Sequence, residues 1–386
     1  MSIIPKYELS AETMRDMTQK TVRENLSIEA NGYRCDSEML VDVLLKAASE
    51  NSSVEATCRD LVEVADSNTI REYLNEAFDV GELWEQEAAL NSALAKQIPG
   101  DMPRGGLEIA IDFHDEPFYG KSAELRSYAV RSQAKKGTSH FYRIASVYVI
   151  WRQLRLTLAV TYVLPEHDTL SVLKTLLQRV AKLGFYATVL YLDKGFCSGQ
   201  VIQYLQSQKQ ASILACPIRG KTGGTKALCK GRKSYRTNHT FTDGTQAEIV
   251  LVATLPKRRG GKRARKWLAY VVIGLADWTP RQVKRAYRRR FGIECSYRQL
   301  RRLRIITNSR NPAFRFFILG FGLLLVTIWA HLRWLFCRIN GRGRTRIDET
   351  QLRLHQFVCF LRRTVEYIYG VVMTISTHRP PQSVIH

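Results

Sequence analysis

Three acidic side chains stand out because so little acid surrounds them. Asp112 ends the apolar run Leu107–Ile111 and is followed by Phe113-His114-Asp115-Glu116. Asp193 ends Val189-Leu190-Tyr191-Leu192 and is the only acid between Asp168 and Asp243. Glu294 is the only acid in the 70 residues from Trp278 to Ile347, and Arg281–Arg304 around it holds ten Lys or Arg. A solvated helix normally mixes both signs. One carboxylate kept among ten cations therefore either anchors an ion pair or binds a divalent metal beside a polyanion that the cations hold. Two strand-end aspartates would complete an oxygen-only donor set, which suits Mg²⁺. Two such ions can activate an attacking oxygen and stabilise the leaving one at a phosphodiester.

The spacing around Glu294 adds to this. Tyr287, Arg290, Glu294 and Arg301 are separated by 3, 4 and 7 residues, which keeps all four on one face of an α-helix. Arginine suits bidentate phosphate contact, and Gly292 would loosen the helix just before the carboxylate. That helix should begin at Thr279-Pro280, an N-cap followed by proline at the first helical position.

The surrounding elements follow from periodicity. Leu107–Ile111, Phe141–Ile150 and Leu156–Leu164 read as strands, the last two joined by a tight turn near Arg152. Leu170–Leu183 and Ser198–Gln208 read as helices, and Ala187–Leu192 and Ser212–Ile218 as further strands. The order β-β-β-α-β-α-β predicts a mixed sheet flanked by helices. Residues 219–266 are rich in Gly and Lys/Arg, with strands predicted in Phe241–Leu255, and Trp267–Leu275 is one more strand. Seven of the ten residues Lys257–Lys266 are Lys or Arg, as are seven in 219–236. Such runs are either solvated loops or contacts to a DNA backbone, and a nearby phosphodiester site favours the latter.

The 386 residues are 45% hydrophobic and 24% charged, which excludes disorder, collagen and a small disulfide scaffold. The net charge of +23 points to a polyanion. Residues 1–100 carry 9 basic and 19 acidic side chains, against 49 and 16 in the remainder, so a boundary falls near Pro99-Gly100. The acidic part reads as helical. Val54–Leu61 and Thr69–Phe78 resemble a helix-turn-helix, either a DNA-end recognition domain or a small bundle that packs or dimerises. The 17-residue run Phe316–Leu332 lacks charge but holds Gly320, Gly322 and His331, and reads as a core helix rather than a membrane span. Gln351–Tyr369 should be an amphipathic helix. The eight scattered cysteines and the lack of a signal-like start imply a reduced, cytoplasmic setting without a zinc site. No metalloprotease, nucleophile-elbow or dinucleotide motif occurs, and Gly120-Lys121-Ser122 and Gly220-Lys221-Thr222 lack the first glycine of a phosphate loop.

Tyr287-x2-Arg290-x3-Glu294-x6-Arg301 resembles the Tyr-Arg-Glu-Lys signature of the cut-and-paste DDE transposases of the insertion-sequence-four superfamily, with Arg in the last place. Ile111-Asp112-Phe113 through Gly120, Leu192-Asp193-Lys194-Gly195-Phe196 and Tyr287–Glu294 are similar to that family's catalytic blocks, nearest its halobacterial-type branch. The resemblance covers residues 106–335. It implies an RNase H-like α/β fold in a catalytic domain at 101–337, with a basic β-rich insertion at 217–277. A helical N-terminal domain at 1–100 and a helical tail at 338–386 flank it. It implies that Asp112, Asp193 and Glu294 hold two Mg²⁺ or Mn²⁺ ions. Tyr287, Arg290, Arg298 and Arg301, with Lys257, Arg258, Arg259, Lys262 and Arg263 of the insertion, would contact DNA. The implied partners are inverted-repeat transposon ends, target DNA and a second copy in a homodimeric synapse, near the nucleoid and with no membrane. The same residues fit a nuclease that only hydrolyses DNA, and a DNA-binding protein without catalysis.

Overall fold

The computed structural model describes residues 8–254, 266–290, 299–340 and 345–376. Five helices open the chain: α1 (Ala11–Asn25), α2 (Ser37–Glu50), α3 (Val54–Asp60), α4 (Ser67–Ala77) and α5 (Leu83–Lys96). Side chains at Ser10, Asp36, Ser53 and Asp66 cap the first four by accepting from backbone N–H groups. Strands β1 (Leu107–Pro117), β2 (Val130–Lys135), β3 (Thr138–Trp151) and β4 (Leu154–Val163) follow. Then come α6 (Thr169–Lys182), β5 (Ala187–Leu192), α7 (Gly199–Ser207) and β6 (Ser212–Cys216), in the predicted order. Strands β7 (Tyr235–Thr240), β8 (Gln246–Thr254) and β9 (Lys266–Ile273) lead to helices α8 (Pro280–Tyr287), α9 (Pro312–Phe336) and α10 (Leu354–Tyr369).

The strands form one mixed sheet in the order β2-β3-β1-β5-β6-β9-β8-β7, with β4 beside β2 along the same edge of β3. At its centre β1, β5 and β6 run parallel, and every other pairing is antiparallel. This is the mixed α/β sheet flanked by helices that an RNase H-like fold requires. The β-rich stretch after residue 217 does not form a sheet of its own. Its strand β9 pairs with β6 from Ala269↔Cys216 to Ile273↔Ser212, so it widens the central sheet.

Period-two alternation sorts the two faces. Ile109, Ile111, Leu190 and Leu192 belong to the larger core. Ala110, Val189 and Tyr191 point the other way, into a smaller cluster with Val283, Ala286 and Tyr287 of α8. The larger core continues through α5, α6 and α9 into the N-terminal helices. Packing thus crosses the charge boundary near residue 100. Buried Glu87 on α5 pairs with Arg179 on α6, and Asn91 exchanges hydrogen bonds with the Val160 backbone at 2.8 and 3.0 Å. Helix α9 is long and apolar enough to cross a bilayer, yet 94% of its most apolar window is buried inside the protein. The fit is close at Gly322, where an added methyl would meet the Leu303 carbonyl oxygen at 2.7 Å.

The two ends of the chain are fastened together. Helix α10 packs on α1 and α2. The fully buried ammonium of Lys46 on α2 lies 2.8 Å from Glu50, 2.8 Å from Asp60 and 3.0 Å from Glu366 of α10. The Tyr369 hydroxyl donates to buried Asp42 at 3.1 Å, and Arg15 of α1 pairs with the same carboxylate. Removing one partner from a buried charge network costs more than the network contributes. Lys46→Met is therefore expected to lower stability by about 3 kcal/mol. Urea denaturation would show this as a lower midpoint with an unchanged m-value.

Candidate active site

Asp112 and Asp193 arrive at the same place by register. In the parallel pair β1/β5, the last matched residues are Ile111 and Leu192. Asp112 is the next residue of β1, which does not end there as the sequence suggests but runs on to Pro117, and Asp193 is the first residue past β5, at the cap of the 3-10 turn Lys194–Phe196. By alternation both lie on the side of the sheet that carries Ala110, Val189 and Tyr191, the side that α8 covers. The Asp112 carboxylate accepts from its neighbour's backbone, Phe113 N–H, at 2.9 Å. The Phe113 ring stacks on Phe196 with centroids 4.4 Å apart, which pins the short 3-10 turn Lys194–Phe196 after Asp193 against β1.

Helix α8 begins as the sequence predicts, with a reciprocal capping box between Thr279 and Gln282 and Pro280 in its first turn. It ends earlier than the spacing implies. The α-helix stops at Tyr287, and Arg288–Arg290 tighten into a 3-10 turn. The continuous face running on to Arg301 is therefore corrected at its start. Two of these three consecutive arginines pair with acids. Arg289 pairs with Glu108 of β1. Arg290 reaches Asp112 at 3.0 Å and Asp193 at 3.2 Å with its two terminal nitrogens. A tightened last turn is a common way to end a helix, and here it aims these two guanidinium groups at the central strands.

Two residues expected on DNA phosphates are turned inward in this state. Tyr287 is 5% exposed, and its hydroxyl donates to the Leu192 carbonyl, one residue before Asp193, at 3.1 Å. Its ring packs edge-on against Tyr191 and tilted against Tyr270. Arg290 is 7% exposed and lies over the Tyr287 ring, with the guanidinium carbon 5.4 Å from its centroid. Burial pushes the Tyr287 phenol above its ordinary range. Arg301 is exposed and opens on the same cleft as Asp112, a cavity of about 1080 Å³. Glu294, Arg298, Lys257, Arg258, Arg259, Lys262 and Arg263 lie outside the described residues.

The electrostatics define what the aspartates need. Burial raises the Asp112 carboxyl to about 6, with the Asp193 charge adding to the rise and Arg290 opposing it. Two carboxylates held side by side repel, and a shared cation relieves that repulsion. An oxygen-only pair in a half-buried cleft suits a hard divalent ion, so the donor set fits Mg²⁺ or Mn²⁺. The one trio within chelating reach among the described residues is Glu50, Asp60 and Glu366. It already surrounds Lys46, away from the cleft, where α2, α3 and α10 meet.

Two further cleft residues escaped the sequence reading. Glu116 is buried and accepts from His114 at 2.7 Å and from Arg304 at 2.7 Å. It lies four residues beyond Asp112 and so has the same alternation on β1, the only signal available in advance. Arg304 has none, being one cation among ten.

Because a proton and a cation compete for Asp112, metal affinity is expected to be level above pH 6. It should fall by up to about tenfold per unit below that, as Mn²⁺ titration of the full chain would report. Arg290→Lys keeps the charge but cannot span both carboxylates. Loss of such a supporting contact is expected to cost about 10–100-fold in metal affinity or cleavage.

Residues 109–328 match the family model described as the transposase DDE domain. No curated protein matches the chain. Among solved structures, the piggyBac transposase synaptic complex with hairpin DNA is similar at a TM-score of 0.56 and 11% identity. That match covers 93% of this chain and 78% of that one, and is a likeness of fold. The Drosophila P element transposase strand transfer complex aligns over 92% of this chain and 70% of its own at 9% identity, with a TM-score of 0.23. The family model spans more than half of the chain, and with the central sheet around Asp112 and Asp193 it places this protein among the DDE transposases.

Proposed function

We propose that the chain is the transposase of a cut-and-paste insertion sequence, of the Tyr-Arg-Glu-Lys type near the halobacterial-like branch. One observation carries this reading. Asp112 within β1 and Asp193 just past the end of the neighbouring parallel strand β5 are bridged by a single buried arginine. Glu294 is assigned as the third carboxylate, on the spacing from Arg290. Divalent metal ions are the rule for DDE transposases; two Mg²⁺ or Mn²⁺ ions held by the trio would supply Lewis-acid charge at the scissile phosphate.

The chain's own residues then have separable tasks. The three carboxylates stay ionised and fix the reacting phosphate where β1 passes the end of β5. Tyr287 and Arg290 hold the two strands in register there. Arg301, with Arg298 and the cations of Lys257–Arg263, grips the DNA backbone. In the first reaction a water oxygen bonds to phosphorus, the bond from phosphorus to the 3′-oxygen breaks, and the proton the water gives up is balanced by the one the leaving 3′-oxygen takes up from solvent to become a hydroxyl. In the second the freed 3′-hydroxyl attacks a target phosphodiester and expels the target's 3′-oxygen. Both are in-line displacements, so one site serves both. The substrates are the element's inverted-repeat ends and target DNA, paired by two copies of the chain. The acting protein is cytoplasmic and nucleoid-associated.

The test uses labelled inverted-repeat ends, taken from the DNA flanking the gene, with a plasmid target. Asp112→Asn, Asp193→Asn and Glu294→Gln are each expected to lower cleavage by at least about 10³-fold, with end binding retained in gel shifts. Nicks without joined products would reduce the activity to hydrolysis. Cleavage at the wild-type rate in any of the three variants would remove that residue from the site.

A further inference from the structure

The cleft that opens at Asp112 is longer than a single phosphate needs. It runs along β1 to the turn between β2 and β3, so that Asp112 and the pair Lys135–Lys136 line the same cavity. The register gives its length. Asp112 lies opposite Ser146 of β3, and Lys135 lies opposite Thr138 of the same strand. Eight strand residues separate those levels, about 26 Å at the usual rise.

The charges along this cleft do not balance. Each lining carboxylate already has a cation: Asp112 has Arg290 at 3.0 Å, Asp115 has Arg143 at 2.7 Å, and Glu116 has Arg304 at 2.7 Å. Lys135, Lys136 and Arg301 are exposed and pair with no carboxylate among the described residues. Positive charge is thus left over along the groove at Lys135–Lys136 and at Arg301, beyond the cations already paired with its acids. An evenly spaced polyanion satisfies that pattern, and a compact anion does not. Successive phosphates of one strand of duplex DNA lie about 3.4 Å apart along the axis, so 26 Å corresponds to seven or eight nucleotides.

We propose that this cleft is the track for one DNA strand flanking the scissile phosphate, and that the Lys135–Lys136 turn grips its backbone about seven nucleotides from Asp112. The assignment rests on the transposase reading and extends it to a surface outside the catalytic blocks. Backbone contacts of this kind supply affinity and register, not sequence readout. Substrates should therefore need a minimum flank on one side of the cleavage site only.

Fluorescence anisotropy of the full chain, in buffer without divalent metal, tests the proposal. The probes are transposon-end duplexes whose flank on either side is trimmed from twelve to four base pairs. Wild-type affinity is expected to drop about tenfold or more as one flank, and not the other, shortens past about seven. Lys135→Gln/Lys136→Gln should weaken binding of the long-flank duplex to the short-flank level. It should lower the salt slope by about two, and leave short-flank binding as it was. Lys135→Arg/Lys136→Arg should retain the long-flank affinity. A Gln double variant that binds long-flank DNA like wild type, or that loses equally on both lengths, would overturn the track. Wild-type nicking of the long-flank duplex in Mg²⁺, scored in parallel, reports separately on the catalytic reading. Flank-dependent binding without nicks would sink that reading and leave the track standing.

Discussion

Two carboxylates side by side, Asp112 within β1 and Asp193 just past the adjacent parallel strand β5, repel each other, and burial makes the repulsion worse. The rest of the site is arranged around this conflict. Asp112 shows it in its raised pKa, to which both burial and the Asp193 charge contribute. The relief comes from Arg290, whose two terminal nitrogens reach one carboxylate each. A lysine would supply the charge at a single point. The planar fork of arginine supplies it at two, with a fixed separation. Arg290 thereby sets the spacing of the aspartates as well as their charge. It is in turn seated on the Tyr287 ring, whose hydroxyl holds the Leu192 carbonyl. Phenol, guanidinium and two carboxylates form one unit, spread over three elements that meet only in the folded chain.

The sheet gives that unit a rigid base. Its parallel centre brings Asp112 of β1 level with the C-terminal end of β5, the end at which open α/β sheets build their sites. Strands β9, β8 and β7 extend the sheet beyond β6 and bury the edge that β6 would otherwise expose. On the far face α9 provides a continuous apolar support, packed against α5 and β4. The basic half of the chain thus gains its rigidity partly from the acidic half. The helices that carry net negative charge hold the framework.

How much of this was legible in advance depends on the distance over which each signal acts. The strands carrying Asp112 and Asp193 were readable because apolar runs of five or six residues with turn signals are local patterns. The start of α8 was readable because Thr279, Pro280 and Gln282 form a cap within four residues. Its end was not. The tightening at Arg288–Arg290 is caused by Glu108, Asp112 and Asp193, which lie roughly one to two hundred residues earlier. Helical periodicity contains no record of them. The same holds for Lys46. In sequence it is an ordinary helical lysine, and only the arrival of Glu366 shows why it is fully buried. The charge boundary near residue 100 was real in composition, but it carried no information about packing, because core contacts are made by the apolar faces on both sides of it.

Arg290 and Arg304 both anchor on one strand. Arg290 is tied to Asp112, and Arg304 is tied to Glu116, four residues further along the same strand. Those two anchor points on β1 are about 13 Å apart at strand rise. Any displacement of β1 moves both anchors together, and the Asp112 carboxylate with them. A site built this way keeps its internal distances when the surrounding sheet flexes. That suits the proposed pair of successive displacements at phosphorus, in which the same carboxylates would meet first a donor strand and then a target strand.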